Sequence, residues 1–231
     1  MFVAPPGYKT ITADYSQIEL RILAEYSQDP ALLEVFRTGQ DLHKRTISDM
    51  LNIPLAEVTK EQRQIAKSIN FGLCYGMSAS GLAHELNIPV QEAEGFISSY
   101  FRAYPQVKRT LQGLGMQAVN KRCSETLLGR KRYYDSSAGE KSLERKGRNT
   151  PIQGTCADIL KKAIRYLMDA LPSYDAKIIH LVHDEIVLEV EESQVDQVKE
   201  VVQKEMIRAG NDLIKSVPIE VEAVVDNVWR K

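Results

Sequence analysis

Two aspartates stand out as candidate holders of a divalent cation. Asp14 ends a strand-like run, Tyr8–Asp14, while Asp184 and Glu185 follow His183 between two apolar runs, Lys177–Val182 and Ile186–Val190. Mg²⁺ keeps several waters and is satisfied by one or two carboxylates plus substrate phosphates, so two strand-end aspartates suffice. Two such ions suit in-line displacement at phosphorus, one activating a hydroxyl and the other steadying the leaving phosphates. Asp after a strand is common at turns, and His-Asp-Glu alone is a weak motif. Either aspartate taken separately reads as structural, and the pair gains weight only beside a third stretch.

That stretch is Arg63, Lys67, Phe71 and Tyr75, each four residues from the last, with Gly72 and Gly76 among them. At about 100° per residue, four-residue steps trace one slowly drifting stripe along a helix. Two cations on its N-terminal half, where the helix macrodipole is positive, suit a triphosphate. Two aromatic rings one turn apart suit a sugar and a base, and the glycines allow close backbone approach to a ligand. A purely aromatic stripe would read as core and a purely basic one as a wet face. The mixture on one face is neither.

The elements expected to carry these residues are short and irregular in order. Pro5-Pro6-Gly7 breaks the chain before the Tyr8–Asp14 strand, and Ser16–Tyr26 has helical periodicity. Asp29-Pro30 opens a helix ended by Gly39, and Asp41 caps another, carrying His43 and stopped at Asn52-Ile53-Pro54. Thr59-Lys60-Glu61-Gln62 starts the striped helix, which runs to Tyr75-Gly76. Helices are expected near 80–86, 90–104 and 107–121, a strand entering a turn over 126–130, and a mostly helical stretch over 141–171 with Pro151 and Gly154 interrupting its first half. Two strands joined at His183-Asp184-Glu185, an amphipathic helix over 193–214 and a strand over 219–225 finish the chain. Strands too discontinuous for a βαβ series give an α+β class: a small antiparallel sheet with helices on one face and a helical insertion between about 38 and 130.

The bulk composition is that of an ordinary globular chain of 231 residues, 43% hydrophobic and 26% charged, which can bury a sizeable core. No apolar run approaches the ~20 residues of a membrane span, and no signal peptide opens the sequence, so a cytoplasmic protein is expected. Cys74, Cys123 and Cys156 form no metal spacing and read as reduced, mostly buried thiols. The net charge of −1 hides segregation: 130–132 and 144–148 are basic, whereas Glu189 to Asp196 is acidic. Local field rather than net charge governs contact with a polyanion.

In this order, Asp14-Tyr15-Ser16-Gln17-Ile18-Glu19-Leu20-Arg21, the Arg63/Lys67/Phe71/Tyr75-Gly76 stripe and Val182-His183-Asp184-Glu185 resemble motifs A, B and C of the family A DNA polymerases, the bacterial polymerase I group. DLHKRT, YGMSASGLA and TPIQGTCADI are also similar to that family, so the likeness runs from about Ala4 to Trp229. The resemblance implies an antiparallel-sheet palm, residues 1–37 and 131–231, with an inserted helical fingers subdomain at 38–130. It implies template-directed transfer of dNMP from a dNTP to a primer 3′-hydroxyl, with two Mg²⁺ ions, replaceable by Mn²⁺.

The same resemblance assigns roles. Asp14, Asp184 and the main-chain carbonyl of Tyr15 hold metal, with Glu185 as an auxiliary acid. Arg63 and Lys67 clamp the triphosphate, Lys67 also serving as acid for the pyrophosphate. His43 assists at the phosphates, Phe71 packs on sugar and base, and Gln17 joins the dNTP contacts. Glu19 and Tyr75 close the pocket against a ribose 2′-hydroxyl. Phe71, where some relatives have Tyr, implies poor acceptance of dideoxynucleotides. Arg145, Asn149, Gln153 and His183 touch the primer–template near its end, at minor-groove acceptors that every correct pair presents alike. The expected partners are primer–template DNA and dNTPs, with no membrane. A full family member carries a thumb and an exonuclease-like domain before motif A. Their absence here reads as a fragment, a truncated gene or one half of a split polymerase whose other half carries the thumb. Two rivals stand beside this reading, a single-subunit RNA polymerase and a non-catalytic DNA-binding remnant.

Overall fold

A computed structural model of the chain describes residues 2–229. Two compact units emerge, one of Met1–Ile18 with Cys156–Lys231 and one of Glu19–Thr155. The first is built on a sheet and the second on helices, the α+β mixture expected from the sequence.

The sheet unit centres on four antiparallel strands in the order β5-β6-β2-β7. They are β2 (Tyr8–Tyr15), β5 (Ala176–Val182), β6 (Glu185–Glu191) and β7 (Val221–Asp226). Strand periodicity of two sends Ile11, Ala13 and Tyr15 to one face, level with Leu188 and Ile186 on one side and Val225, Ala223 and Val221 on the other. Helix α9 (Val195–Leu213) covers that face with buried Val198, Val202 and Met206, and the buried Tyr15 hydroxyl donates to the Met206 carbonyl at 2.7 Å. The opposite face is polar: Thr10, Thr12 and Asp14 alternate along β2 on it. One pairing was not foreseen. Phe2–Val3 forms a short strand, β1, ahead of the proline breaker and pairs with Val228–Trp229, β8.

The helical unit contains α2 (Pro30–Arg37), α3 (Leu42–Leu51), α4 (Lys60–Cys74), α5 (Ala79–Leu86), α6 (Val90–Ala103) and α7 (Pro105–Lys121), together with all of α1 (Ile18–Ser27) but its first residue. Caps fix their starts as the sequence indicated. Asp29 accepts from Ala31 N–H with one oxygen and from Gln106 N–H with the other, so one buried carboxylate caps both α2 and α7. Thr59 and Gln62 close a capping box at α4.

Two expectations are corrected. Of the strand entering a turn expected over 126–130, only the turn lies there, joining β3 (Cys123–Glu125) to β4 (Lys131–Tyr133). Thr126 N–H bonds the Arg130 carbonyl, and Gly129 takes a φ of +85° that only glycine adopts without penalty. Pro151 and Gly154 do not interrupt the long helix, α8 (Glu140–Ala170), which passes through both. The turn packs on this part of the helix: Arg130 donates to the Gly154 carbonyl at 2.8 Å, Leu127 N–H bonds Thr155 Oγ1, and a Cβ at Gly154 would stand 2.6 Å from Thr126. Gly154 is a contact surface, not a helix stop. The thiols also differ in part, since only Cys74 is fully buried, whereas Cys123 and Cys156 are half-buried; none of the three is in a disulfide. Among the described residues, no helix is long and apolar enough to cross a membrane.

Candidate functional site

In the sheet unit, β2 and β6 lie side by side with Asp14 directly opposite Glu185. Asp184 precedes Glu185 in the two-residue turn that joins β5 to β6. Hairpin formation alone brings Asp184 and Glu185 to that strand end, but only long-range pairing of β2 brings Asp14 there. On its other side Asp14 is level with Glu222 of β7, an acidic neighbour the motifs did not reveal. Both turns at this edge hold a non-glycine residue in the left-handed region, Gln17 at φ +55° and His183 at φ +54°. Such conformations cost ~1–2 kcal/mol each and gather where function demands them.

Two further details concern the acid edge. The Trp229 indole N–H donates to a Glu185 oxygen at 2.6 Å, and its ring lies 5.3 Å from that of His180. Trp229 thus holds the Glu185 carboxylate, a contact invisible in a sequence where it is merely the last aromatic. The Tyr15 side chain is fully committed to the core, and burial pushes its phenol well above its ordinary range. Only its main chain remains to meet a ligand.

These residues fit a magnesium site in the chemistry of their donors. They are hard oxygen ligands, two of them aspartates at one strand end. Among the described residues no three His, Cys, Asp or Glu side chains close into a ready cage.

In the helical unit, α4 carries the stripe as its spacing demanded. The Phe71 and Tyr75 rings stack at 6.4 Å and 24°, and the His43 ring of α3 lies 5.8 Å from Phe71. Tyr75 is the cap residue just past α4, and Gly76 follows at φ +73°. The Tyr75 hydroxyl donates to the Glu19 carboxylate, so the two residues expected to guard the sugar are already joined. Beside them burial pushes the Cys74 thiol well up, leaving it neutral and inert.

Lys67 is exposed, whereas Arg63 is held by Asp41 through an Nε–Oδ2 contact of 2.7 Å. Asp41 uses its other oxygen to cap α3, accepting from His43 and Lys44 N–H. Burial opposes its charge, but the bonds from Arg63 and Lys44 outweigh it and hold the carboxyl below its usual range. His43 is 3% exposed, and burial, with help from the Arg63 and Lys67 charges and against Asp41, lowers its pKa to about 4. It is neutral at physiological pH. Asn70 lies 3.1 Å from His43 Nδ1, a contact that the motif pattern did not single out.

Arg145, Asn149 and Gln153 follow one face of α8 at four-residue steps within the helical unit, and Arg145 packs against Gly76. Asn149 Oδ1 and, in the sheet unit, Gln17 Oε1 are buried oxygens without a hydrogen-bond partner. Buried polar atoms left unsatisfied in a native fold point to a ligand or to function. A cavity of about 640 Å³ also opens in the helical unit, lined by Leu73, Met77, Phe101, Arg102 and Arg148 among others. Of the stripe residues, Gly76 lines it, whereas Arg63, Lys67, Phe71 and Tyr75 do not.

Comparison with known proteins bears on the whole chain. A profile described as DNA polymerase family A matches residues 1–231. The chain is 43% identical to DNA polymerase I of Pseudomonas aeruginosa over 99% of its own length and 25% of that protein's. It is 40% identical to DNA polymerase I of Aquifex aeolicus, over all of this chain and 41% of that one. In structure it is similar to the POL domain of Pol1 from M. smegmatis, solved in complex with DNA primer-template and dNTP. The TM-score is 0.91 at 38% identity, covering 99% of this chain and 41% of that one. The chain therefore spans between a quarter and about two fifths of the length of these relatives.

Proposed function

The chain belongs to DNA polymerase family A, and from that membership we propose that it adds deoxynucleotides to a primer 3′-hydroxyl under the direction of a template strand. The observation that carries this reading is the register of β2 and β6, in which Asp14 stands opposite Glu185 and one strand position from the Asp184 turn. Residues so distant in sequence meet as an acidic strand end, which an ordinary turn aspartate would not require.

The reaction forms a bond between the 3′-oxygen and the α-phosphorus and breaks the bond from that phosphorus to the β-phosphate, releasing pyrophosphate. Asp14, Asp184 and the Tyr15 carbonyl would hold two Mg²⁺ ions, or Mn²⁺, which when bound would supply Lewis acidity to the displacement. Arg63 and Lys67 bind the triphosphate, and Lys67 returns a proton to the pyrophosphate. Asp41 keeps Arg63 extended in wait for the phosphates, and His43 adds a contact to them. Phe71 supports the sugar and base, and Gln17 contributes from the turn after Asp14. Glu19 and Tyr75, joined by their hydrogen bond, deny room to a 2′-hydroxyl. Arg145, Asn149, Gln153 and His183 contact the primer–template, where donors to minor-groove acceptors test pair geometry without reading sequence.

We assign the palm to residues 1–37 and 131–231 and the fingers to 38–130. Grip on the duplex is assigned to a thumb-bearing N-terminal portion, on this or a second chain, and the work to the cytoplasm, at the chromosome. Single-nucleotide incorporation, comparing a dNTP with the matching rNTP, tests the reading. Strong preference for the dNTP is expected. Equal use of both points to an RNA polymerase instead, and DNA binding without incorporation of either, even with a thumb-bearing portion supplied, points to a non-catalytic remnant.

A further inference from the structure

We infer that Asn70 is a positioning residue that fixes the tautomer of His43, so that the imidazole carries its proton on Nε2 and offers a donor, not an acceptor, to a bound phosphate. The inference rests on the nucleotide-binding role proposed for His43, but its structural half stands independently of that role.

Asn70 lies on α4, three residues beyond Lys67, and is 1% exposed. Its amide nitrogen faces His43 Nδ1 at 3.1 Å and Thr46 Oγ1 at 3.1 Å, and its oxygen lies 3.3 Å from the same Thr46 hydroxyl. Thr46 in turn is 3.2 Å from the Tyr104 hydroxyl. Thr46 and Tyr104 are fully buried, so the amide has no water to turn toward. An amide nitrogen only donates. Nδ1 must therefore present its lone pair, and a neutral ring then has its one N–H on Nε2. The surroundings of the ring agree with a neutral imidazole: burial foremost, then Arg63 and Lys67 of α4, oppose a further proton, and Asp41 of α3 alone favours it.

The alternative would defeat the site. With the Asn70 amide turned over, its oxygen would accept a hydrogen bond from Nδ1–H and leave Nε2 as an acceptor. Phosphate oxygens only accept, so that ring would repel the group it is meant to meet. A histidine kept neutral near two cations needs an external device to choose its tautomer, and Asn70 is that device.

Nitrogen-15 NMR of the imidazoles in the full chain reads the tautomer directly near pH 7. The chain has four histidines, and the signal lost in a His43→Asn variant identifies the one concerned. In the unaltered protein, Nδ1 is expected in the lone-pair range and Nε2 in the N–H range. A protonated Nδ1 overturns the inference, and this reading needs no change at Asn70. In Asn70→Ala the signals should shift toward a mixture of tautomers, and an unchanged spectrum would also overturn it. Kinetically, Asn70→Ala should lower kcat/KM for a dNTP at least about tenfold, the worth of one hydrogen bond to a charged group. It should add nothing to the loss already caused by His43→Asn, and additive losses would refute the coupling. The expected spectrum with no kinetic effect of either variant would leave the tautomer device standing and remove the phosphate role of His43.

Discussion

Acidification should weaken the fold through one histidine, by an amount the structure sets. His43 falls from an ordinary 6.5 to about 4 because burial and two neighbouring cations resist its proton. The unfolded chain takes up that proton near its ordinary value, whereas the folded chain refuses it until about pH 4. The stabilising contribution is therefore whole above about pH 6.5 and drains as the pH falls toward 4. Linkage makes the loss roughly 2 kcal/mol between about pH 7 and about pH 5. For a chain of this size that corresponds to a fall in Tm of about 4–8 °C. Carboxylates titrate over part of the same range, so the measurement is a difference. Urea unfolding of the protein and of His43→Asn, followed by circular dichroism at both pH values, isolates the histidine. Asn keeps an acceptor near the place of Nδ1 and so preserves the bond from Asn70. The native protein should lose about 2 kcal/mol more than the variant over this interval. Parallel losses would show that His43 is not held neutral by its surroundings, and the electrostatic account of the α3–α4 face would fail with it.

Three other changes have expected outcomes. Asp29→Ala removes a buried cap from both α2 and α7 and should cost about 2–4 kcal/mol in urea unfolding, with Asp29→Asn losing about half because one oxygen remains. Gly147→Ala would bring a Cβ within 2.5 Å of the Ala118 Cβ and 2.7 Å of the Leu114 carbonyl on α7, so a loss of about 1–3 kcal/mol is expected in the same assay. Glu19→Ala frees the Tyr75 hydroxyl and opens the sugar pocket, so the dNTP-to-rNTP preference in single-nucleotide incorporation should fall by about tenfold or more.

The parts of this protein that were legible in its sequence are those governed by local rules. The stripe on α4 follows from helical geometry alone, and Asp29, Asp41 and Thr59 announced their helices because capping chemistry is local. The His183-Asp184 hairpin was visible because its strands are adjacent in sequence. Register between distant strands obeys no such rule. Nothing in the spacing of Asp14 and Glu185 shows that they are opposite, and their meeting was available only through family resemblance. Nor did the pattern show Glu222 beside Asp14, since its strand carries no motif. Local propensity marks Pro151 and Gly154 as breakers, yet the helix passes through both, and the Thr126–Arg130 turn packs against it at Gly154. Supporting residues were the hardest to find. Asp41, Asn70 and Trp229 act through other side chains, Arg63, His43 and Glu185, and such partnerships exist only once the chain has folded.

Primer extension with Mg²⁺ and dNTPs most directly tests whether Asp14 and Asp184 form a polymerase centre. The assay compares the unaltered chain, Asp14→Ala and Asp184→Ala, each alone and with the thumb-bearing portion of a family relative supplied. The account predicts extension by the unaltered chain in at least the supplemented reaction, and a loss of about a thousandfold or more in either variant. Undiminished extension by Asp184→Ala, or none by the unaltered chain under both conditions, would contradict it.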